Sequence, residues 1–315
     1  MSAKRTQSRK DPKILLGEIE SLIRNLRTDL DSRDLRDQTR ALIPVFHGLR
    51  RLGCALVRTE GTSSARDRIL YYLQRHPMTV VHGGELMVVS GIQAWRRRTG
   101  ELRVELGWPI VSGRTAREMD DEGDFPVKDV EVQSMRPDDY ILLSLEPDLE
   151  AARRWKTANQ IRKEKGGVKT KILRYLQENL GRAVTGEELR YLAQNRTVWT
   201  RRIRELRSEE GWPIVTRNTG RPDLPIGTYL LEANRQVPTH DRDIPDPIRR
   251  KVLRQQGYRC QECDWTHESW NASDPRHLEL HHIEHYARGG TSVEDNLRTL
   301  CTVCHDDLHR RERPS

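Results

Sequence analysis

An eleven-residue element occurs twice in the chain, and its spacing limits the possible folds more than any other feature. Glu101-Leu102-Arg103-Val104-Glu105-Leu106-Gly107-Trp108-Pro109-Ile110-Val111 returns as Glu205-Leu206-Arg207-Ser208-Glu209-Glu210-Gly211-Trp212-Pro213-Ile214-Val215, nine identities in eleven positions at an offset of 104. Upstream, Ile69-Leu70-Tyr71-Tyr72-Leu73-Gln74 matches Ile172-Leu173-Arg174-Tyr175-Leu176-Gln177, and Gly83, Glu85 and Leu86 match Gly186, Glu188 and Leu189, now at an offset of 103. A period near 100 residues is that of a small domain copied in tandem, well beyond the roughly 20–50 residues of solenoid units.

Apolar spacing predicts the same order of elements in both copies: an amphipathic helix (65–75 and 168–179), a short helix after Gly83 or Gly186, and a third helix (92–106 and 196–210). Gly107 and Gly211 stand where a helix C-cap belongs, and the Trp-Pro-Ile-Val that follows is β-prone. The returning strand of a hairpin is expected at Tyr140-Ile141-Leu142-Leu143 and Tyr229-Leu230-Leu231. Three helices followed by a hairpin resemble the winged-helix variant of helix-turn-helix domains, over about 65–145 and 168–233.

That resemblance implies a third helix lying in the major groove. Arg96, Arg97 and Arg98 in one copy, and Arg196, Arg201, Arg202 and Arg204 in the other, are then the expected DNA-binding residues, on phosphates or on guanine edges. Without the resemblance the same arginines read as a solvated helix face with Glu–Arg pairs. Arg103 and Arg207 are expected to pair with Glu105 and Glu209, and Trp95, Trp108, Trp199 and Trp212 to be core.

Charge is divided along the chain. Residues 240–315 hold 12 Lys and Arg against 14 Asp and Glu, a net of −2, whereas residues 1–239 carry +10. A basic excess in the first three-quarters suits a polyanion such as nucleic acid. Leu15, Ile19, Leu22, Ile23 and Leu26 make an apolar stripe on a helix of about 13–29, followed by a helix over 35–51; the stripe either docks on the first copy, the favoured expectation, or forms a dimer seam. No run of about 18 apolar residues exists, and the basic start leads into no apolar segment, so a cytoplasmic protein without membrane span or secretory signal is expected.

Histidine and cysteine are concentrated at the other end: eight of eleven His and four of five Cys follow residue 239. Cys260-x-x-Cys263 and Cys301-x-x-Cys304 are two pairs, each able to clamp two corners of a tetrahedral Zn²⁺ as thiolates. Cys54 stands alone and reads as a small buried hydrophobe. Between the pairs lie Leu278-Glu279-Leu280-His281-His282-Ile283, Gly289-Gly290 and Asn296-Leu297-Arg298-Thr299-Leu300, with His305 directly after the last Cys.

This pattern resembles the HNH (ββα-metal) endonuclease superfamily in its four-cysteine zinc-stabilised form, over about 245–312. The resemblance implies His282 as general base. A histidine suits that role, since its unperturbed pKa lies near neutrality. His281 occupies the position that often carries a metal-binding Asp. Asn296 either braces the loop carrying the base or gives an oxygen to the ion, and His305 is expected to bind the catalytic ion, joined by His309 one helical turn later. A nitrogen-rich site admits Mg²⁺ or Mn²⁺, and also Ni²⁺ or Zn²⁺. His267, His277 and His285 match nothing and are expected at the surface, His285 near enough to touch a phosphate. Leu278 and Leu280 are expected under the zinc site, and adjacent His281 and His282 can serve one phosphate only where the strand ends or distorts.

The expected architecture is an α+β multidomain chain: an N-terminal helical segment (1–60), winged helix 1 (61–147), winged helix 2 (148–234), a proline-rich linker (235–247) and an HNH nuclease domain with a four-cysteine zinc site (248–315). The expected function is a DNA endonuclease, acting as a restriction enzyme that reads sequence or base modification and works as a homodimer on double-stranded DNA. Two alternatives stand beside it, a non-catalytic zinc-containing DNA-binding regulator and a structure-selective or RNA nuclease.

Overall fold

The computed structural model describes residues 11–29, 34–57, 59, 61–238, 241–270, 274–284 and 289–312. The basic start of the chain and His285 lie outside these residues, so the expectations placed on them do as well. In chain order the elements are α1 (Pro12–Asp29), α2 (Leu35–Leu56), α3 (Ala65–Arg75), α4 (Gly83–Ser90), α5 (Trp95–Val104), β1 (Ile110–Ser112), α6 (Gly113–Asp120), β2 (Tyr140–Leu142), α7 (Ala151–Lys163), α8 (Val168–Glu178), β3 (Val184–Thr185), α9 (Gly186–Leu192), α10 (Trp199–Arg204), β4 (Ile214–Val215), β5 (Thr228–Leu231), α11 (Asp246–Gln255), β6 (Leu278–His282), β7 (Leu297–Cys301) and α12 (Thr302–Glu312). Two compact units result: Met1–Ile110 with Asp138–Ala151, and Val111–Pro137 with Ala152–Ser315.

The duplication is visible as repeated interactions. In the first unit Tyr72 donates to Glu85, whose carboxylate also accepts from the His82 N–H and closes a capping box at α4. In the second, Tyr175 donates to Glu188, and Glu188 caps α9 through Thr185. Trp95 meets Tyr140 edge-on at 5.9 Å, as Trp199 meets Tyr229 at 5.8 Å. A Cβ at Gly83 would strike Trp95, and one at Gly186 would strike Met119 (2.4 Å) and crowd Trp199 (3.2 Å). Trp95 and Trp199 are buried, whereas Trp108 and Trp212 are half-buried.

The region after the third helix differs from a simple hairpin in the first copy. Between β1 and β2 the chain inserts residues 113–139, which include α6. Residues 111–137 pack within the second unit: Ser112 donates to Glu187 (2.6 Å), and Glu118 accepts from both Arg190 (3.0 Å) and Trp199 (2.7 Å). The partners are buried carboxylates and arginines far apart in the chain, a pairing that local spacing does not encode. In the second copy a three-stranded antiparallel sheet of order β3-β5-β4 forms, with Val184 opposite Tyr229 and Ile214 opposite Leu231.

In the first unit α1 packs on α2, and α2 on α4. Leu15 and Ile19 are buried, while Ile23 of the same stripe is exposed. Gly53 permits the close approach of α2 to the Val88 carbonyl. Cys54 is half-buried beneath Gly91. The outer face of α2 carries Leu35, Leu42, Leu49 and Leu56 at strict seven-residue spacing, all exposed, with Phe46 between them. Among the described residues no helix is long and apolar enough to cross a membrane.

The C-terminal module of the second unit is a β6–β7 antiparallel pair with α11 and α12 packed on it, Leu278 opposite Cys301 and His282 opposite Leu297. Its apolar side chains form two small clusters. Leu280 joins Ile244, Val252, Leu253 and Leu297, with Tyr258 packed alongside. Leu278 joins Cys260, Trp265, Leu300 and Cys301, so only Leu278 of the two leucines lies at the four-cysteine site.

Candidate metal centres and active site

Cys260 and Cys263 stand on a turn closed by the Asp264 N–H on the Cys260 carbonyl (2.9 Å), with Asp264 left-handed at φ 59°. Cys301 ends β7, and Cys304 lies in the first turn of α12. Their four sulfurs fall within 4.8 Å of one another. Cys263 and Cys301 are 3.8 Å apart, far beyond a disulfide bond of about 2.05 Å. A tetrahedral Zn²⁺ with Zn–S bonds of about 2.3 Å holds its sulfurs roughly 3.8 Å apart, so the cluster fits that ion. Burial and the neighbouring sulfurs push the Cys301 and Cys304 thiols up. Four thiolates at this spacing repel one another unless a cation lies between them, so the donor set and its dimensions suit a zinc-binding site.

A second cluster lies at the opposite end of β6. His281 is the penultimate residue of that strand and His282 the last; His305 and His309 project from one face of α12. Asp241 completes the group. Its Oδ2 lies 2.8 Å from His305 Nε2, 2.9 Å from His309 Nε2 and 3.4 Å from His281 Nδ1, and the His305 and His309 Nε2 atoms are 2.9 Å apart. A tetrahedral ion with bonds of about 2.0–2.1 Å spaces its ligand atoms roughly 3.3 Å apart. Three imidazole nitrogens and a carboxylate oxygen converging in this way make a donor set for a divalent cation.

The electrostatics agree. Burial raises the Asp241 carboxyl, but hydrogen bonds from His281, His282 and His305 outweigh it and hold the group far below the usual carboxylate range. Burial lowers His305, yet its bonds to Asp241 and Glu279 lift it to about 9. A field that draws a proton onto a buried imidazole also draws a cation. Glu279 lies behind the cluster and accepts from His305 Nδ1 (2.5 Å), which turns Nε2 toward the centre.

His282 is fully buried. Its backbone N–H donates to Asp241 Oδ1 (2.9 Å), its Nδ1 lies 3.4 Å from the same oxygen, and its Nε2 lies 3.0 Å from Ser292 Oγ. The two oxygens of one carboxylate thus face the Nδ1 atoms of both adjacent histidines at the point where β6 stops. Asn296 contacts loop backbone throughout: it accepts from the Glu284 N–H (2.8 Å) and donates to the carbonyls of Glu284 (3.1 Å) and Thr291 (2.9 Å). Gly290 fits inside that loop because a Cβ would overlap the Glu284 carbonyl.

Two histidines expected at the surface are drawn inward instead: His277 is buried and bonds buried Glu279 (3.1 Å), and His267 is half-buried and bonds Glu232 (2.9 Å). Asp241, the member of the cluster that sequence reasoning missed, lies in the segment read as a linker. Its only sequence signal is that a polar, proline-rich stretch carries an acid shortly before the module.

The arginines of the third helices are not members of either cluster. Arg97 and Arg98 pair with Glu101, as Arg201 and Arg202 pair with Glu205. Arg96 bonds Asp138 and stacks on Trp95, Arg204 bonds Glu122, and Arg196 is exposed. Arg207 does not pair with Glu209 as expected; it is buried between Asp124 and Asp246 and donates to the Ile214 carbonyl (2.8 Å). The buried acids outcompete the solvated Glu209 for an arginine that folding has desolvated.

Residues 66–143 and 169–232 match the family model of the KpnI N-terminal domain, and residues 260–311 match that of the HNH endonuclease. Searches among curated proteins and among solved structures found no match. The chain therefore carries a C-terminal HNH endonuclease domain preceded by KpnI N-terminal domain sequence in both of its repeats, and it is a metal-dependent nuclease that hydrolyses phosphodiester bonds.

Proposed function

We propose that this nuclease is a cytoplasmic restriction enzyme acting on double-stranded DNA. In this reading the two copies are tandem winged helices that read base sequence or base modification, and the HNH module cuts. The observation that carries it is the convergence of Asp241, His281, His305 and His309 beside His282. Those four residues hold the catalytic divalent cation, Mg²⁺ or Mn²⁺ in the first instance, with Ni²⁺ or Zn²⁺ also suited to three nitrogens and an oxygen. When bound, the cation supplies charge stabilisation to the phosphate and the departing 3′ oxygen. His282 takes the proton of the attacking water. Asn296 braces the backbone of Glu284 and Thr291 beside the strand that carries His282. Arg96, Arg97, Arg98, Arg196, Arg201, Arg202 and Arg204 remain exposed or half-exposed, which leaves their guanidinium groups within reach of phosphates.

The test is digestion of methylated and unmethylated plasmids in Mg²⁺ and in Mn²⁺, with sequencing of the cut ends, by wild type and Asp241→Ala. The wild type is expected to cut at defined sites and only with a cation. Asp241→Ala removes a direct ligand, so its cation affinity in calorimetry should fall by more than the roughly 10–100-fold typical of outer-shell losses. Wild-type affinity in that variant would remove Asp241 from the site.

A single hydrolytic centre cuts one strand at a time, and we propose a homodimer on DNA. The exposed row of Leu35, Leu42, Leu49 and Leu56 has the seven-residue repeat of a helix seam and is the face assigned to the second copy. Leu42→Lys with Leu49→Lys is expected to yield a monomer in sedimentation and to leave nicks where the wild type makes double-strand breaks. A wild type that sediments as a monomer on DNA while cutting both strands would overturn the dimer.

A further inference from the structure

The two copies carry matching helices, and at four matched positions they differ in the same sense. In the first copy these positions are Gly84 and Met87 of α4 and Arg96 and Gly100 of α5. Gly84, Met87 and Arg96 are exposed, and a Cβ added at Gly84 or Gly100 would meet nothing within 4 Å. At the offsets of 103 and 104 the second copy has Glu187 and Arg190 of α9 and Thr200 and Arg204 of α10. Glu187, Arg190 and Thr200 are buried, and Arg204 is held in an ion pair.

The segment that follows β1 reaches three of these four. Ser112, the N-cap of α6, donates to Glu187 (2.6 Å), Glu118 accepts from Arg190 (3.0 Å) and from Trp199 (2.7 Å), and Glu122 accepts from Arg204 (3.0 Å). Met119 is fully buried against Gly186. These contacts occupy the starts of α9 and α10, and the start of a recognition helix is the part that meets base edges. At its end the segment carries Asp120, Asp121 and Glu122, none of them buried, whose like charge opposes the approach of phosphate. It is also fastened from the other side. Thr216 donates to Asp124 (3.0 Å), Asn218 to the Gly123 carbonyl (2.8 Å), and Arg250 of α11, in the C-terminal module, to the Glu122 carbonyl (2.8 Å).

We propose that the two copies divide the work. The first copy alone reads bases, with Arg96 and Arg97 of α5 as the specificity-determining residues. The second copy is the platform to which the cutting module is fastened, and it keeps only phosphate contacts through Arg201 and Arg202. This rests on the nuclease reading above and narrows the role given there to the second copy. Arg96 is the second residue of α5, its guanidinium lies over the Trp95 ring at 4.5 Å, and its partner Asp138 is itself exposed, so a planar fork is held at the surface where a guanine edge can take it. The matched Thr200 is short and buried, and supplies no such group.

The experiment selects bound duplexes from a random-sequence library, unmethylated or methylated, without divalent cation, and sequences them. Full-length wild type is compared with Arg96→Ala, Arg97→Ala, Arg201→Ala and Arg202→Ala, each folded by circular dichroism. The wild type is expected to enrich one motif. Arg96→Ala and Arg97→Ala should each lose preference at particular base pairs by roughly 5–150-fold, the worth of a bidentate base contact. Arg201→Ala and Arg202→Ala should keep the motif, bind all sequences more weakly and show a salt dependence lower by about one phosphate contact. A changed motif in Arg201→Ala or Arg202→Ala overturns the division, as does an unchanged motif in both Arg96→Ala and Arg97→Ala. A wild type that enriches no motif yet cuts plasmid DNA in Mg²⁺ or Mn²⁺ overturns the division and leaves the nuclease reading standing, whereas one that neither enriches a motif nor cuts with either ion overturns both.

Discussion

His282→Ala is expected to slow DNA cleavage by about 10²–10⁴-fold, the range a positioned general base contributes, with cation affinity nearly unchanged. The proposed cation donors are Asp241, His281, His305 and His309, and His282 is not among them. Its own contacts are a backbone N–H that alanine retains, the long Nδ1 approach to Asp241 and the bond to Ser292. The imidazole is fully buried, so its removal leaves a cavity, and a stability cost of a few kcal/mol accompanies the kinetic effect. Single-turnover cleavage in saturating Mn²⁺, at a temperature where both proteins are folded by circular dichroism, separates the two. A variant rate within tenfold of wild type would show that another group takes the proton. A loss of Mn²⁺ affinity matching the loss of rate would show that the imidazole supports the cation site instead.

Much of this centre is legible in the chain because its residues sit on regular elements at short spacings. His305 and His309 share a face of α12 since four residues make about one helical turn. The cysteine pairs announce themselves through the tight turns that bring each pair's sulfurs together. Asp241 is not legible: it reaches the cluster from 40 residues before His281, through a strap whose path depends on the carbonyls of Ser208 and Gly211. His267 reads as a surface residue for a related reason, since its partner Glu232 lies 35 residues away, whereas the His277–Glu279 pair is two residues apart and is open to the same-face alternation of a strand. The tandem repeat is plain in the sequence, yet the packing of residues 111–137 on the second copy is not. It rests on Ser112–Glu187 and Glu118–Arg190 contacts more than 70 residues apart, which neither periodicity nor turn chemistry encodes.

Removing the structural zinc is expected to unfold the C-terminal module and abolish cleavage, with the repeats keeping their structure. The module's sheet has two strands, an arrangement that is marginal without further support. Its apolar side chains divide into two clusters of five buried residues each, one of which contains Cys260 and Cys301 themselves. Structural Zn²⁺ contributes about 10–16 kcal/mol in zinc-finger peptides near neutral pH. That is comparable with the whole stability of a typical domain, about 5–15 kcal/mol. The four thiolates also join the Cys260–Cys263 turn to the end of β7 and the start of α12, the helix that projects His305 and His309. Release of that helix separates two of the four cation donors from His281 and Asp241, so added Mn²⁺ should not restore activity, whereas refolding with Zn²⁺ should. Cys301→Ser is expected to reproduce the chelated state in calorimetry, by losing the transition of the module, and Cys54→Ser to leave it in place. A Cys301→Ser protein that keeps its transition, or a purified wild type without about one zinc per chain by elemental analysis, would show that the module holds together by its apolar clusters alone.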